Sequence, residues 1–383
     1  MPQSAKLIAQ ISTPPFLARW QRALSYFQER KAVIFVSYCR FWEHHAFVQQ
    51  SLAKLLTDHG VKVTWYDAET WKGYRPTLYW KSEHLDVKSR FTLPGRRWRF
   101  IEAIDKKLFQ STINKEIRKY GDPIIWIQGG LRESLAEVIP KIDVFSTFDD
   151  PFYFANDSVI KQKAKLIVAQ NSFTWRMHCS QSDKSKMLLP PVDMKVDESG
   201  SPNYVFPERF PKKVMGYIGS FFHEDYDLEL LEYLIRTLPD WGFLLVGRTN
   251  AVGEGKVKTL KRYANFHHVA WAPRAQVMSL WKKLSVTLLL HRPRRVQYGA
   301  FPTKVLESLA YGVPCVGTEV PKTNDLQGFF PISSFPSELR QMAVQAAGMD
   351  KERIRQLFDL FSSKSDPALH LIEVAESLMP ANG

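Results

Sequence analysis

Cysteine is scarce. Three residues, Cys39, Cys179 and Cys315, lie far apart in 383, without the short spacings of a zinc knuckle or the even number of a disulfide framework. They read as reduced thiols of a cytosolic protein. Long apolar runs are also missing. Nothing approaches the roughly 20 consecutive apolar residues of a membrane span, and the run Leu288-Leu289-Leu290 is far too short. The amino terminus has no apolar core followed by a cleavage site, so no secretory signal is expected. The glycine-rich turn of a dinucleotide site is absent after the first strand, which disfavours NAD. His44 and His45 lack the i,i+4 partner of a zinc helix. No RNP or helix-turn-helix signature points to nucleic acid. Acidic residues are the minority, 39 against 52 basic ones, for a net charge of +13. That balance favours an anionic partner, and by itself fits anionic lipid, nucleic acid or a phosphorylated substrate.

What is present is ordinary globular protein: 45% hydrophobic and 24% charged residues exclude disorder. The length suggests two domains. Phe16 to Tyr26 is amphipathic and predicts a helix packed on the main body, with a membrane-surface role as the other option. Ala32 to Tyr38 is the first strand, a helix runs to Leu56, and Val61 to Tyr66 is the second strand, which together make a βαβ unit. Pro123 to Gln128, Ile142 to Phe148, Lys165 to Ala169 and Met187 to Leu189 continue the alternation, with a helix from about Phe100 to Tyr120. Between them, Trp71 to Lys107 interleaves Trp71, Tyr74, Tyr79, Trp80 and Trp98 with Lys72, Arg75, Lys81, Lys88, Arg90, Arg96, Arg97 and Arg99. That composition fits an anionic membrane surface, single-stranded nucleic acid, or a solvated loop with its aromatics turned inward.

Five prolines between Pro190 and Pro211 mark a linker. The alternation then restarts with strands at Lys213 to Gly219, Gly242 to Gly247, His267 to Trp271, Ser285 to Leu290 and Val313 to Gly317, and a helix from about Asp227. Its strand ends carry Gly219-Ser220, Gly247-Arg248 and Trp271 to Arg274, and ligands of open α/β sheets bind at carboxyl ends. Arg248 is placed to reach a phosphate bidentately. His291 to Arg295 adds Arg292, Arg294 and Arg295, a cluster able to stabilise a leaving diphosphate or simply a solvated charge run. Asp225-Tyr226-Asp227 has the spacing of a metal-binding pair but reads as a helix cap.

The most informative stretch is Phe301 to Thr318, FPTKVLESLAYGVPCVGT. Pro302 suits a first helical position, Gly312 the residue after a helix end, where positive φ is wanted, and Val313 to Val316 a buried strand. Lys304 and Glu307 share a helix face. The ammonium and the free N–H groups at the helix start can hold one phosphate, and Glu307 can accept from a sugar hydroxyl pair. A plain i,i+3 surface salt bridge satisfies the same spacing.

The pattern Pro302-x-Lys304-Val305-x-Glu307-x-x-Ala310-x-Gly312-x-Pro314-x-Val316 resembles the donor-site helix of group-1 glycosyltransferases of the GT-B fold. Leu189-Pro190-Pro191-Val192-Asp193 is similar to the interdomain crossing of that family. The resemblance implies an α/β protein of two Rossmann-like doubly wound domains facing across a cleft: residues 1–190 for the acceptor, a linker at 191–212, residues 213–362 for the nucleotide sugar, and a helix in 363–383 crossing back to the first domain. Lys304 would contact the donor diphosphate and Glu307 the ribose, Gly219-Ser220 would bring backbone to the diphosphate, and Trp271, Pro273 and Arg274 would border the base. Many relatives carry a second Glu where this chain has Gly299, so recognition of the donor sugar does not transfer. Asp149 and Asp150 end a strand and are candidates for the base that deprotonates an acceptor hydroxyl, with helix capping as the other use. Phe148-Asp149-Asp150 resembles the inverting relatives. The implied function is transfer of a sugar from a nucleotide diphosphate sugar, UDP- or GDP-type, to a glycan or lipid-linked acceptor in cell-surface polysaccharide synthesis, without metal or other cofactor. The implied setting is the cytoplasm, with an anionic membrane surface as an added partner and no nucleic acid. A sugar-nucleotide epimerase of the same double fold, a non-catalytic nucleotide-sugar-binding subunit and a nucleic-acid-binding protein are the alternatives.

Overall fold

The computed structural model describes residues 13–37, 48–70, 82–93, 98–129, 131–147, 158–179, 182–191, 204–292, 303–319 and 330–380. The chain divides into two units, Met1–Asp193 with Ser363–Gly383, and Met194–Ser362.

In the first unit the strands are β1 (Ala32–Ser37), β2 (Lys62–Thr70), β3 (Leu85–Phe91), β4 (Ile124–Gln128), β5 (Ile142–Thr147), β6 (Ala164–Ala169) and β7 (Ser185–Met187). They form one sheet in the order β3-β2-β1-β4-β5-β6-β7, with every pairing parallel. Its helices are α1 (Pro14–Glu29), α2 (Val48–Asp58), α3 (Arg99–Tyr120), α4 (Glu133–Ala136), α5 (Ser158–Lys163) and α6 (Ser172–His178). A parallel sheet needs crossovers, and these cover both of its faces. The two-residue period of the strand then sends side chains alternately into two cores. Val33 and Phe35 join Trp20, Phe27, Trp65 and Trp126 on one face, while Ile34 and Val36 join Phe109, Ile113 and Phe145 on the other. The amphipathic stretch near residue 20 is α1, and it packs on the body by burying Trp20, Leu24 and Phe27.

The second unit has β8 (Val214–Ile218), β9 (Gly242–Val246), β10 (Phe266–Val269), β11 (Val286–Leu289) and β12 (Cys315–Gly317), in the order β10-β9-β8-β11-β12. All its pairings are parallel. Its helices are α7 (Leu228–Thr237), α8 (Ala251–Leu260), α9 (Arg274–Trp281), α10 (Lys304–Ala310), α11 (Pro336–Ala346) and α12 (Lys351–Lys364). The sheet order reverses direction between β8 and β11, which is the topological switch point of a doubly wound sheet. In the first unit the same reversal falls between β1 and β4.

The last helix, α13 (Pro367–Leu378), belongs to the first unit. Asp366 caps it by accepting from the N–H groups of Ala368 and Leu369, with Pro367 at the first helical position. Leu371, Ile372, Val374 and Ala375 enter the first core, and Arg19 of α1 binds Glu373 and Glu376 at 2.7 Å each.

Strand β3 and helix α8 are among the elements that the sequence reading does not name, and strand β7 is shifted from its expected place. Strand β3 lies inside the aromatic and basic stretch. It is an edge strand, and edge strands carry charge that hides their periodicity; its Lys88 pairs with Glu116 of α3. Helix α8 contains Gly253 and Gly255, which lower helix propensity. Strand β7 starts two residues earlier than expected and is only three residues long.

His370 of α13 is 3% exposed and stacks on Trp126, ring centroids 6.0 Å apart. Burial pulls its pKa down to about 4; the Leu189 backbone and the Glu373 carboxylate push the other way without offsetting it. A histidine whose folded pKa lies below its unfolded value of about 6.5 leaves stability intact above that value and removes it as pH falls towards 4. Acidification from pH 6.5 to 4 is therefore expected to cost the first unit up to about 3 kcal/mol through this group. In His370→Leu the loss measured by urea unfolding over that window should shrink; an unchanged pH slope would remove His370 as its source.

Candidate functional site

At the carboxyl end of β8 the chain passes through Gly219 at φ 156°. At the end of β9 it passes through Gly247 at φ 133°. The two backbones nearly touch. A Cβ on Gly247 would lie 2.1 Å from the Gly219 carbonyl oxygen, far inside any real contact. The Gly219 N–H donates to the Val246 carbonyl at 2.8 Å, and the Gly247 N–H to Val269 at 2.9 Å. Phe221 N–H then donates to the Arg248 carbonyl at 3.0 Å, so the loops after the two strands are laced together beyond the sheet.

Lys304 reaches this crossing from α10. Its Cε lies 3.2 Å from where a Cβ on Gly219 would be, so the lysine stem packs closely beside the strand end. The Lys304 Nζ sits 2.7 Å from a Glu307 carboxylate oxygen, both side chains being about 30% exposed. The i,i+3 salt bridge is thus made, and at that exposure it contributes little to stability.

Helix α10 is held from below. Ser308 and Thr287 of β11 share a buried hydrogen bond of 2.6 Å, and Ser308 Oγ donates to the Val313 carbonyl at 2.7 Å. Gly312 ends the helix at φ 71°, the left-handed conformation expected there. Tyr311 stacks on Trp281 of α9, nearly parallel at 6.1 Å. Strand β11 is therefore coupled directly to the helix that carries Lys304 and Glu307.

Tyr217 was not singled out from the sequence. Its hydroxyl would lie 2.9 Å from a Cβ on Gly219 and donates to the Ser220 carbonyl at 3.3 Å. Burial, with Glu307 and Asp225 adding to it, raises its pKa further above the phenol range; the hydroxyl stays protonated. The signal was available, because residues two apart on a strand share a face. His268 was also passed over. Its Nε2 lies 3.2 Å from the Gly247 carbonyl, and burial lowers its pKa.

The remaining expected residues fall as follows. Ser220 and Arg248 are exposed at the same carboxyl edge, and the Arg248 guanidinium makes no ion pair among the described residues. Trp271 is 54% exposed after β10. Pro273 is the N-cap of α9, and Arg274 is its first residue. Arg292 does not join Lys304: it pairs with Glu229 and lies 3.6 Å from Asp227, at the start of α7. Asp227 is a cap, accepting from the Leu230 N–H at 2.9 Å. Arg294, Arg295, Pro302, Asp149 and Asp150 lie outside the described residues.

What these elements define is a doubly wound sheet with Lys304 at its switch point, in a chain that holds a second such sheet. Residues 212–330 match the family model described as glycosyl transferases group 1. A segment of 114 residues is 28% identical to the putative teichuronic acid biosynthesis glycosyltransferase TuaH of Bacillus subtilis (strain 168), covering 30% of this chain and 28% of that protein. Among solved structures, a sucrose-phosphate synthase from Thermosynechococcus elongatus aligns with a TM-score of 0.64 at 14% identity, over 91% of this chain and 99% of that one. HepE of Anabaena, in complex with UDP, aligns at 0.62 and 13% identity over 91% and 99%. The lipopolysaccharide outer core galactosyltransferase WaaB aligns at 0.61 and 12% over 91% and 98%. Residues 212–330 are thus similar to the group 1 glycosyl transferases, and the chain has the GT-B fold of two Rossmann-like domains.

Gly247→Ala tests the crossing. The added methyl has no room and the backbone φ is one that L side chains rarely adopt, so a loss of about 2–4 kcal/mol is expected in denaturant unfolding. A wild-type unfolding midpoint would mean that the two loops separate freely.

Proposed function

We propose that this chain is a glycosyltransferase that moves a sugar from a UDP-sugar to a hydroxyl of a glycan or lipid-linked acceptor, in the synthesis of a cell-surface polysaccharide. The observation that carries the reading is the meeting of Lys304 with Gly219 at the switch point of the group 1 domain. HepE was solved with UDP, with UDP and glucose, and with UDP-glucose, which supports a UDP-type donor over a GDP-type one. The name of the Bacillus subtilis relative supports a polysaccharide product. We place the reaction on the cytoplasmic side, at an anionic membrane surface where a lipid-linked acceptor would be found.

In this reading the diphosphate lies against the Gly219-Ser220 backbone, and Lys304 exchanges Glu307 for a phosphate oxygen. Glu307, released, accepts from the ribose hydroxyls. Arg248 adds a second cation, and Trp271, Pro273 and Arg274 border the base. As the acceptor oxygen bonds to the anomeric carbon, the bond from that carbon to the diphosphate oxygen breaks. The proton of the acceptor hydroxyl passes to Asp149 or Asp150, which follow β5 in the sequence. The leaving diphosphate gains negative charge, and Lys304 stabilises it more strongly in the transition state than in the ground state. No step of this scheme needs a metal.

A thermal-shift screen of UDP, GDP, CDP, ADP and dTDP, with and without EDTA, should show UDP raising the midpoint equally in both conditions. Lys304→Ala should weaken UDP at least about tenfold, the scale of one charge-assisted hydrogen bond. The ligand-free midpoint should move by no more than about 2–4 °C, since an exposed pair contributes under about 1 kcal/mol. An unchanged affinity would take Lys304 out of the site.

Asp149→Asn and Asp150→Asn, made separately, divide the acceptor chemistry. One should lose about 100-fold or more in transfer, the scale of a general base, while its UDP affinity stays that of the wild type. Full activity in both would end the assignment of the base to this pair.

A further inference from the structure

Helix α3 carries apolar residues on two faces, and one of them is exposed among the described residues. Asp105, Phe109, Ile113 and Glu116 are its buried residues. Around the helix, at 100° per residue, the opposite side carries Phe100, Ile104 and Leu108, at i, i+4 and i+8. These are 61%, 46% and 52% exposed, and Trp98, the N-cap residue, is 65% exposed. Trp98 and Phe100 meet edge to face, with ring centroids 6.2 Å apart, so the two rings make one exposed apolar cluster. Four of the protein's large exposed side chains thus gather within eleven residues.

The charges of the helix are sorted in the same way. Asp105 is buried and takes Arg132 and Thr92 as partners. Glu116 is buried and takes Lys88. Lys107, Lys115, Arg118 and Lys119 are exposed, project to the same side as the apolar stripe, and form no ion pair among the described residues. Asp105 and Glu116 thus face the protein and Lys106 turns to Glu137, while Lys107, Lys115, Arg118 and Lys119 face outward. Along the axis, the apolar residues occupy the amino-terminal half and the cations extend over the carboxyl-terminal half, about 16 Å from Leu108 to Lys119 at 1.5 Å per residue. Because α3 follows β3 in a parallel sheet, its amino-terminal end lies at the carboxyl edge of the first sheet, where α/β folds present ligands.

We propose that this face of α3 docks the protein on an anionic phospholipid bilayer, with Trp98, Phe100, Ile104 and Leu108 entering the headgroup boundary and Lys107, Lys115, Arg118 and Lys119 lying on lipid phosphates. An interfacial helix needs this combination of apolar anchors and cations, and an indole at its end suits the boundary itself. Charge complementarity selects the occupant. A second copy of the chain would cover the apolar residues but leave the four cations without counter-charge. A single-stranded nucleic acid would use aromatic faces for stacking, but Ile104 and Leu108 offer none. The docking face names the membrane surface invoked for the glycosyl-transfer reading and rests on that reading only for its purpose.

Flotation with vesicles of phosphatidylcholine containing 30% phosphatidylglycerol, against phosphatidylcholine alone, tests it without donor or acceptor. The full chain should float with the anionic vesicles, weakly with the neutral ones, and less as salt rises. The triple variant Phe100→Ser, Ile104→Ser, Leu108→Ser removes only exposed side chains, so it should keep the wild-type thermal midpoint and the UDP shift while losing at least tenfold in vesicle affinity. Lys115→Glu, Arg118→Glu, Lys119→Glu should lose a comparable amount and flatten the salt dependence. Flotation of either variant like the wild type overturns the proposal. So does a wild type that ignores anionic vesicles, or one that forms a dimer lost in the serine variant. Failure of the UDP shift in a wild type that still floats would sink the glycosyl-transfer reading and leave the docking face standing.

Discussion

Both sheets are parallel throughout, and that constraint governs where everything else can go. A parallel neighbour can be reached only by a crossover, so helices cover both faces of each sheet and its strands become apolar along their whole length. β1, β4, β8 and β9 are buried at every residue. Polar and irregular backbone is left to the edges. At the carboxyl edge of the second sheet, the direction of winding reverses between β8 and β11, and no crossover from either strand fills the gap. That gap is where two glycines let strand ends cross at contact distance and where α10 delivers Lys304.

The corner is built with little freedom. Ser308 is tied to both β11 and the approach to β12, so the helix bearing Lys304 and Glu307 cannot tilt without disturbing the sheet. The Tyr217 hydroxyl fills the space under the Gly219 turn and holds the Ser220 carbonyl. A charged side chain at the end of such a supported element keeps its position when an anion replaces its carboxylate partner, which is the property that a diphosphate site needs. The first unit uses its ion pairs differently. Its acids at 105, 116 and 143 are buried and answered by basic residues, and that inward turn of the carboxylates leaves the outer surface of α3 with an excess of cations.

Much of this was legible before any coordinate. Lys304, Glu307 and Gly312 stand in a pattern whose spacing alone sets a helix, its cap and the following strand, because capping and periodicity are local properties. Asp227 read correctly as a cap for the same reason. Strand β3 and helix α8 were illegible because their sequences contradict the element they form: β3 is charged as an edge strand, and α8 carries two glycines. Tertiary packing overrode local preference in both. Arg292 shows the opposite failure. Its nearness to Lys304 in sequence suggested a shared anion site, yet its guanidinium turns to Glu229, since neighbours along a loop have no fixed common direction.

The sequence by itself determined the fold class, the alternation of strands and helices, and the helix with its lysine and glutamate, because these depend on periods and caps within a few residues. It determined an excess of positive charge without placing it. Only the tertiary structure decided that Gly219, Gly247, Tyr217 and Lys304 meet at one corner, although up to 87 residues separate them. Such meetings are set by strand order and register, and a one-residue slip of a strand turns every side chain on it to the other face. Tertiary structure likewise decided which side of α3 is left uncovered. A helix with apolar residues on two faces does not reveal from its own sequence which stripe the sheet will take.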